Sequence, residues 1–459
     1  MLKPSLCLAV GIFVFASAGH SYDLGPHKKA QAKRAIRFML ENVSPKGARP
    51  GTIIASPERV KPNYFRHWVR DGALVANVIL SLWEHAQTES DRANFEKMLW
   101  DYVGISEHQQ QFIGKPVFDA DGNPISEEWG EPQNDGPALR SIVLMRFAHI
   151  LRNRNRVNDA ERLHQLISKD IHGILYFGDW GYDIWEEKRG FHFYTRMVHR
   201  KAVIMAKHLA DIWGDKGLSD KSATRRLELE ASLKDHWSDA LGYIEASVAV
   251  DGGMLEKTIH LDSQVILGVL HGDTGDFFQT YDSRVLRTVV RLEELFERLY
   301  PINFECHGIP YIGRYQECNW NGYTRGGLGN PWVLTTEAFG EYYDRLALDL
   351  ERLGSIEINA ETWPFYIRLM PELMNHTFPS GRIGKFDWAF GAILKALHAK
   401  SDGYYRKVLD RVGEEGEFHE QIHRVNGGPE GPKRLGWSCV STIVGHWQRQ
   451  GRIAVSQFN

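Results

Sequence analysis

The sequence predicts an all-α fold, one domain built from helix pairs. Three observations carry this expectation. Apolar residues recur at helical spacing through most of the chain. Convincing strand-like alternation is scarce. Some helical windows are half-exposed, whereas others are apolar nearly all round and need neighbours on every side.

The elements follow in order. Lys3 precedes an apolar run from Leu6 to Phe15, and Ala16-Ser17-Ala18 fits a small-residue cleavage site. Residues 1–18 therefore read as a secretory signal, too short in its apolar part to span a bilayer. Residues 19–459 read as a single catalytic domain, exported from the cytoplasm (secreted or periplasmic). Helical windows fall at 27–42, 72–83, 90–112, 136–152, 157–171, 194–213, 224–248, 259–271, 282–300, 332–353, 361–374, 386–413 and 434–450. The window 282–300 places Val285, Val289, Leu292, Phe296 and Leu299 on one stripe, with Arg287, Arg291, Glu294 and Arg298 off it and Pro301 ending the run. GALVANVILSLW at 72–83 is the opposite case, apolar on almost every face. Gly136-Pro137 and Pro331 fit helix starts.

Composition narrows the function. Net charge is −3, so no basic field draws nucleic acid or an anionic membrane, and no later stretch is apolar enough for a membrane helix. Charged residues make up 25% and hydrophobic ones 43%, as in a soluble globular protein. Beyond the signal the cysteines are Cys306, Cys318 and Cys439. One disulfide is the maximum; Cys306 and Cys318 are the nearest pair, and Cys439 sits in an apolar helical pattern as a core residue.

The unusual segments lie between helices: NYFRHWVRDG (63–72), EEWGEPQNDGPALR (127–140), GYDIWEEKRG (181–190), IGRYQECNWNGYTRGGLGNPW (312–332) and EFHEQIHRVNGG (417–428). Each precedes one of the more apolar helices. If enclosed and exposed helices alternate, these loops gather at one end of a ring, and polar, aromatic-rich loops converging on a mouth describe a pocket. In YDIWEE, Asp183, Glu186 and Glu187 crowd around Trp185. Burial against the ring and neighbouring negative charge would both raise a carboxyl pKa, keeping an acid protonated near neutrality.

In this order, the segments resemble the glucoamylases, glycoside hydrolase family fifteen, over roughly residues 27 to 450. YFRHWVRD, WGEPQNDGPALR, YDIWEE, GRY at 313–315, GNPW at 329–332, and SDG at 401–403 followed by EQ at 420–421 carry the likeness. It implies an (α/α)6 toroid of about twelve helices in paired inner and outer rings. It also implies exo-acting α-glucosidase activity: release of β-D-glucose, with inversion, from non-reducing ends of α-glucans or short α-gluco-oligosaccharides. Glu186 would be the general acid and Glu420 the general base. Arg70, Asp71 and Arg314 would hold the terminal glucose; Tyr64, Trp68, Trp129, Trp185 and Trp332 would wall the pocket; Glu187 would reach the next sugar, and Asp183 would support. No cofactor or metal is implied, and the expected form is a monomer. Isomaltose-type α-1,6 links and trehalose are the alternative substrates.

Taken singly, Arg70-Asp71 reads as an ion pair at a helix start, and Trp68 and Trp129 read as core. HEQIH at 419–423 also fits the zinc-protease pattern H-E-x-x-H, with Glu420 as base. Against that reading, Asn426 and Pro429 stand where the extended form needs Gly and His, and no Asp or Glu follows Glu430. A carbohydrate-binding protein without catalysis would be expected to lack the acid or the base, and both are present. Finally, the residues between GRY and GNPW are expected to bulge over the mouth and to favour short substrates.

Overall fold

The computed structural model describes residues 24–306, 308–371 and 381–450; residues 1–18, read above as a signal, lie outside them. In chain order the elements are α1 (Leu24–Glu41), β1 (His67–Trp68), α2 (Val69–Glu84), α3 (Glu89–Gln109), β2 (Val117–Phe118), α4 (Asp135–Asn153), α5 (Val157–Arg162), α6 (His164–Phe177), β3 (Trp180–Tyr182), β4 (Lys188–His192) and α7 (Phe193–Trp213). They continue with α8 (Lys216–Lys234), β5 (Trp237–Ser238), β6 (Tyr243–Ile244), β7 (Ser247–Gly253), α9 (Gln264–His271), α10 (Ser283–Leu299), α11 (Val333–Leu353), β8 (Ser355–Ile358), α12 (Trp363–Leu369), β9 (Gly381–Gly384), α13 (Trp388–Leu409), β10 (His419–Ile422), β11 (Pro429–Lys433) and α14 (Gly436–Gln448).

The contacts close a ring. Helix α2 packs on α4, α4 on α7, α7 on α9, α9 on α11, α11 on α14, and α14 back on α2. Outside it, α3 covers α2, α6 covers α4, α8 covers α7, α13 covers α11 and α1 covers α14. Helix α10 covers α9 through Val285, Leu286 and Val289, in the same apolar cluster as Val265, Ile266 and Val269. This is the (α/α)6 toroid.

Local chemistry explains which helices go where. Inner helix α2 buries Val69 to Ala76 without interruption, together with Val78, Ile79, Leu80, Ser81 and Trp83, as its nearly all-apolar sequence requires. Outer helix α10 buries Val285, Val289, Leu292 and Phe296 of its stripe together with Leu286, Thr288, Val290 and Glu293, leaves Arg291 and Arg298 exposed, and is capped by Asp282, which accepts from the Arg284 N–H. Helices α7 and α11 end on Gly214 and Gly354, both left-handed (φ 74° and 66°), which only glycine adopts without strain. No helix among the described residues is long and apolar enough to cross a membrane.

Two readings are corrected. The window 224–248 is not one helix: α8 stops at Lys234, and β5, β6 and β7 follow. Strands β5 and β6 form a hairpin that turns at Gly242 (φ 71°), and β7 joins β3 and β4 in a small antiparallel sheet. The cysteines Cys306, Cys318 and Cys439 are all free, so the possible Cys306–Cys318 bridge does not form. Cys318 instead accepts hydrogen bonds from Arg314, 3.3 Å from Nε and 3.0 Å from Nη2.

Candidate active site

Each of the five polar segments does enter an inner helix, α2, α4, α7, α11 or α14, so they meet at the N-terminal end of the ring. Between them lies a cavity of about 420 Å³, lined by Tyr64, Trp68, Arg70, Asp71, Trp129, Trp185, Glu186, Arg314, Trp320, Arg325, Trp332, Glu420 and Trp437, among others.

Glu186 sits in the turn between β3 and β4. Its backbone is left-handed (φ 65°), a costly conformation away from glycine that is typical of functional turns. Gly130 makes the approach possible: a Cβ there would lie 2.7 Å from the Glu186 carbonyl oxygen. The carboxyl is held on both oxygens. Trp68 Nε1 donates to Oε1 at 2.7 Å and Trp129 Nε1 to Oε2 at 2.6 Å, while Arg70 Nη2 stands 3.6 Å from Oε1. Burial outweighs these charge-stabilising contacts and raises the pKa to about 7. A carboxyl in that state can hold, and give up, a proton near neutrality.

Glu420 faces the same cavity from β10. Tyr64 OH donates to Oε1 at 2.8 Å; Trp320 Nε1 and Gln421 Nε2 donate to Oε2 at 2.9 and 2.7 Å. Burial raises this carboxyl too, against those donors and Arg314. The rings of Tyr64 and Trp68 lie 5.2 Å apart, so the side chains that hold the two carboxyls are themselves packed together.

Arg70 donates to Gln133 (3.1 Å) and Asp135 (3.0 Å), and its Nε is buried without a hydrogen-bond partner, 3.8 Å from Asp71. Asp71 turns its carboxylate to the cavity, and no other side chain hydrogen-bonds it among the described residues. Burial lifts its pKa to about 6. Trp185 packs against Trp332 at 5.6 Å and stacks on Trp437 at 6.3 Å, and Arg314 lies over the Trp332 ring at 5.0 Å.

Two of the sequence-selected residues do not line the cavity. Asp183 is fully buried behind the turn. It receives the backbone N–H of Glu187 (2.9 Å) and of Lys188 (3.2 Å) and pairs with Lys257 at 2.7 Å. Glu187 is buried as well, bound by Tyr315, by Arg314 (3.1 Å) and by Arg325 (2.9 Å). As placed, it stands behind the cavity-lining Arg314 and Arg325. The like-charge account of Glu186 therefore changes. Lys257 and the arginines neutralise its acidic neighbours, and the rings against it are those of Trp68 and Trp129. Trp185 points its Nε1 at Asp262 instead (2.9 Å).

The sequence reading missed Lys257 and Asp262, which precede α9 and pair at 2.7 Å, and Trp437 at the start of α14. It also gave Trp320 only to the covering loop. HEQIH is not helical: His419 to Ile422 form β10, and His419 Nδ1 lies 3.1 Å from the Gly431 carbonyl. In extended backbone, four residues span roughly 13 Å, too far for both histidines to share an ion.

A ring of paired helices with two donor-held carboxyls in one aromatic cavity defines a glycoside hydrolase. The model of "Glycosyl hydrolases family 15" matches residues 33–445, and the chain belongs to that family. The glucoamylase of Blastobotrys adeninivorans is 32% identical, over 93% of this chain and 72% of that protein. Glucoamylase 1 of Rhizopus oryzae is 29% identical, over 90% and 69%. In fold, the chain superposes on the glucoamylase of Saccharomycopsis fibuligera with a TM-score of 0.85, at 24% identity and over 95% and 97% of the two chains.

Proposed function

We propose that the protein is an exo-acting α-glucosidase of glucoamylase type that releases β-D-glucose from non-reducing ends by single-displacement inversion. Glu186 protonates the glycosidic oxygen, and Glu420 takes a proton from the attacking water. The observation that carries this reading is the pair itself: Glu186, held on both oxygens by indole N–H groups and poised near neutrality, shares a pocket with Glu420, held by a separate set of donors. Two packed aromatic side chains, Tyr64 and Trp68, serve one carboxyl each. The proposed inversion requires a carboxyl separation of roughly 6.5–9.5 Å, which leaves room for a water. The signal-like residues 1–18 support action outside the cytoplasm.

The test is proton NMR of the anomeric signals during the first minutes of maltose hydrolysis, with isomaltose and trehalose run in parallel. β-Glucose is expected first. Initial α-glucose would contradict the geometry, and faster turnover of isomaltose or trehalose would reassign the linkage.

The covering loop makes a second expectation. Trp320 anchors it to Glu420, and Arg325 straps it to Glu187 across the cavity wall. Gly322 presses on Gly431, where a Cβ would lie 2.7 Å from the Cα. A loop tied at these points narrows the exit for a long glucan. kcat/KM is expected to rise little beyond a few glucose units. Arg325→Ala should raise the ratio of kcat/KM for soluble starch to that for maltose by roughly 2–5-fold, the worth of one ion pair with an exposed partner. A steep rise with chain length in the natural protein would show that the loop binds further sugars instead.

A further inference from the structure

A second cavity, of about 360 Å³, occupies the same lumen farther along the inner helices. On α2, Arg70 and Asp71 face the first cavity, and Leu74, Val78 and Ser81 face the second; on α14 the sequence is Trp437, then Val440 and Val444. The floor between them is aromatic. Trp437 stacks on Trp185, and His271 approaches Trp437 at 6.4 Å while its Nδ1 bonds the Tyr194 hydroxyl at 2.8 Å. The second cavity reaches the surface where Arg226 and Asp276 line it, since their side chains are 39% and 46% exposed.

Its chemistry differs from that of the first. No tryptophan, tyrosine or phenylalanine lines it, and its ring is the His271 imidazole, so it lacks the indole walls of the first cavity. The long wall is aliphatic: Leu74, Val78, Ile142, Leu270, Val440 and Val444. Of its charged groups, most are already matched. Arg226 pairs with Glu230 and Asp276, Arg345 with Asp273 and Asp349, and Arg146 with Glu84. Lys201 is different. Its Nζ donates to the His271 carbonyl at 3.0 Å and pairs with no carboxylate among the described residues. An ammonium has three hydrogens to place. Glu341, on the same cavity, has neither an ion pair nor a side-chain hydrogen bond among the described residues.

We propose that this second cavity is a binding site for an amphipathic monocarboxylate, with its head group on Lys201 and its hydrocarbon chain along the Leu74, Val78 and Val444 wall. The volume lies in the range of small-molecule sites, roughly 300–1,000 Å³. The charge of Asp273 acts on Lys201, but that carboxylate pairs directly with Arg345; a ligand carboxylate gives Lys201 a direct partner, and the aliphatic wall is covered by the chain. Glu341 opposes it less than an ordinary glutamate would: burial raises that carboxyl to about 7 and so reduces the negative charge it carries near neutrality, while burial lowers Lys201 to about 8. Among the described residues the other cations lining the cavity, Arg146, Arg226 and Arg345, are already in ion pairs, which favours one carboxylate over a dianion such as a phosphate monoester.

The probe is sodium decanoate below its micellar concentration, titrated calorimetrically into the intact protein, with decylamine and glucose as comparison ligands. Saturable one-to-one binding of decanoate is expected, with a rise in Tm through preferential binding to the folded state. Lys201→Met should weaken binding by roughly 10–100-fold, the worth of a charge-assisted contact, and Lys201→Arg should retain most of it. Val444→Phe, which fills the aliphatic end, should weaken it independently of the lysine. Maltose hydrolysis should be unchanged in all of these variants. Undiminished binding to folded Lys201→Met, or no saturable binding to the natural protein, overturns the proposal. Tighter binding of decylamine would also overturn it, transferring the site to Glu341 and a cationic ligand. A crystal of the natural protein soaked in decanoate tests the same point without a variant: the carboxylate must lie within hydrogen-bond distance of Lys201 Nζ.

Discussion

Glu186→Gln and Glu420→Gln are each expected to lower kcat by roughly 10²–10⁴-fold, the range for loss of a positioned acid or base, while the fold is kept. In Glu186→Gln the new amide can still accept from Trp68 or Trp129, and in Glu420→Gln it can accept from Tyr64 or Trp320, so each variant keeps part of its hydrogen bonding. The pH profile separates the two roles. As the proposed acid, Glu186 would have to be protonated to act, and burial holds its pKa at about 7, so activity is expected to fall as pH rises through about that value. Glu420 must be ionised. Burial raises its pKa as well, so the acid limb should lie above the ordinary glutamate range, with activity lost as pH falls through it. The two groups share a cavity, and the observed limbs are macroscopic constants of the pair. In Glu186→Gln the alkaline limb should vanish, and in Glu420→Gln the acid limb. Near-normal turnover by either folded variant would remove that residue from the mechanism.

The helices and the mouth of the ring are legible in the sequence because both are local signals. Nearly all-apolar 72–83 has to be enclosed, and the stripe on 282–300 has to face one side. The polar segments between such runs have nowhere to go but a common end. What is not legible is long-range pairing. Asp183 looks like a third like charge beside Glu186, but Lys257, far along the chain, neutralises it at 2.7 Å and turns it into a support for the turn. Glu187 is withdrawn by Arg314 and Arg325 in the same way. Local errors have local causes. Helical spacing continues past Lys234 only if Gly242 is passed over, and Ile244, Val248 and Val250 are β-branched, a strand signal that the apolar count conceals. HEQIH becomes β10 because Asn426-Gly427-Gly428 turns the chain back, so that Gln421 and Ile422 pair with Glu430 and Pro429.

Asp71→Ala is expected to lower kcat/KM by roughly 10²–10⁴-fold, through loss of one or two charge-assisted hydrogen bonds to sugar hydroxyls. We propose this role from the state of the carboxylate. It lies in the first turn of α2, lines the cavity, and stands 3.8 Å from Arg70 Nε without a hydrogen bond to it. That Nε is itself buried and unpartnered. A carboxylate and a guanidinium side by side on the cavity suit hydroxyls on neighbouring carbons, one donating to the carboxylate and another accepting from the guanidinium. The competing account is that Asp71 serves only the helix start, where a carboxylate is worth roughly 0.3–1 kcal/mol. The two separate on a panel of monodeoxy maltosides. If Asp71 holds hydroxyls, the natural enzyme loses most of its kcat/KM when one particular hydroxyl is removed, whereas Asp71→Ala, already lacking the partner, is nearly indifferent to that same removal. If Asp71 serves only the helix, the variant shows a lowered Tm and keeps the full sensitivity to every deoxy position. Equal sensitivity in the two proteins would therefore exclude Asp71 from sugar recognition, whatever the size of the drop in rate.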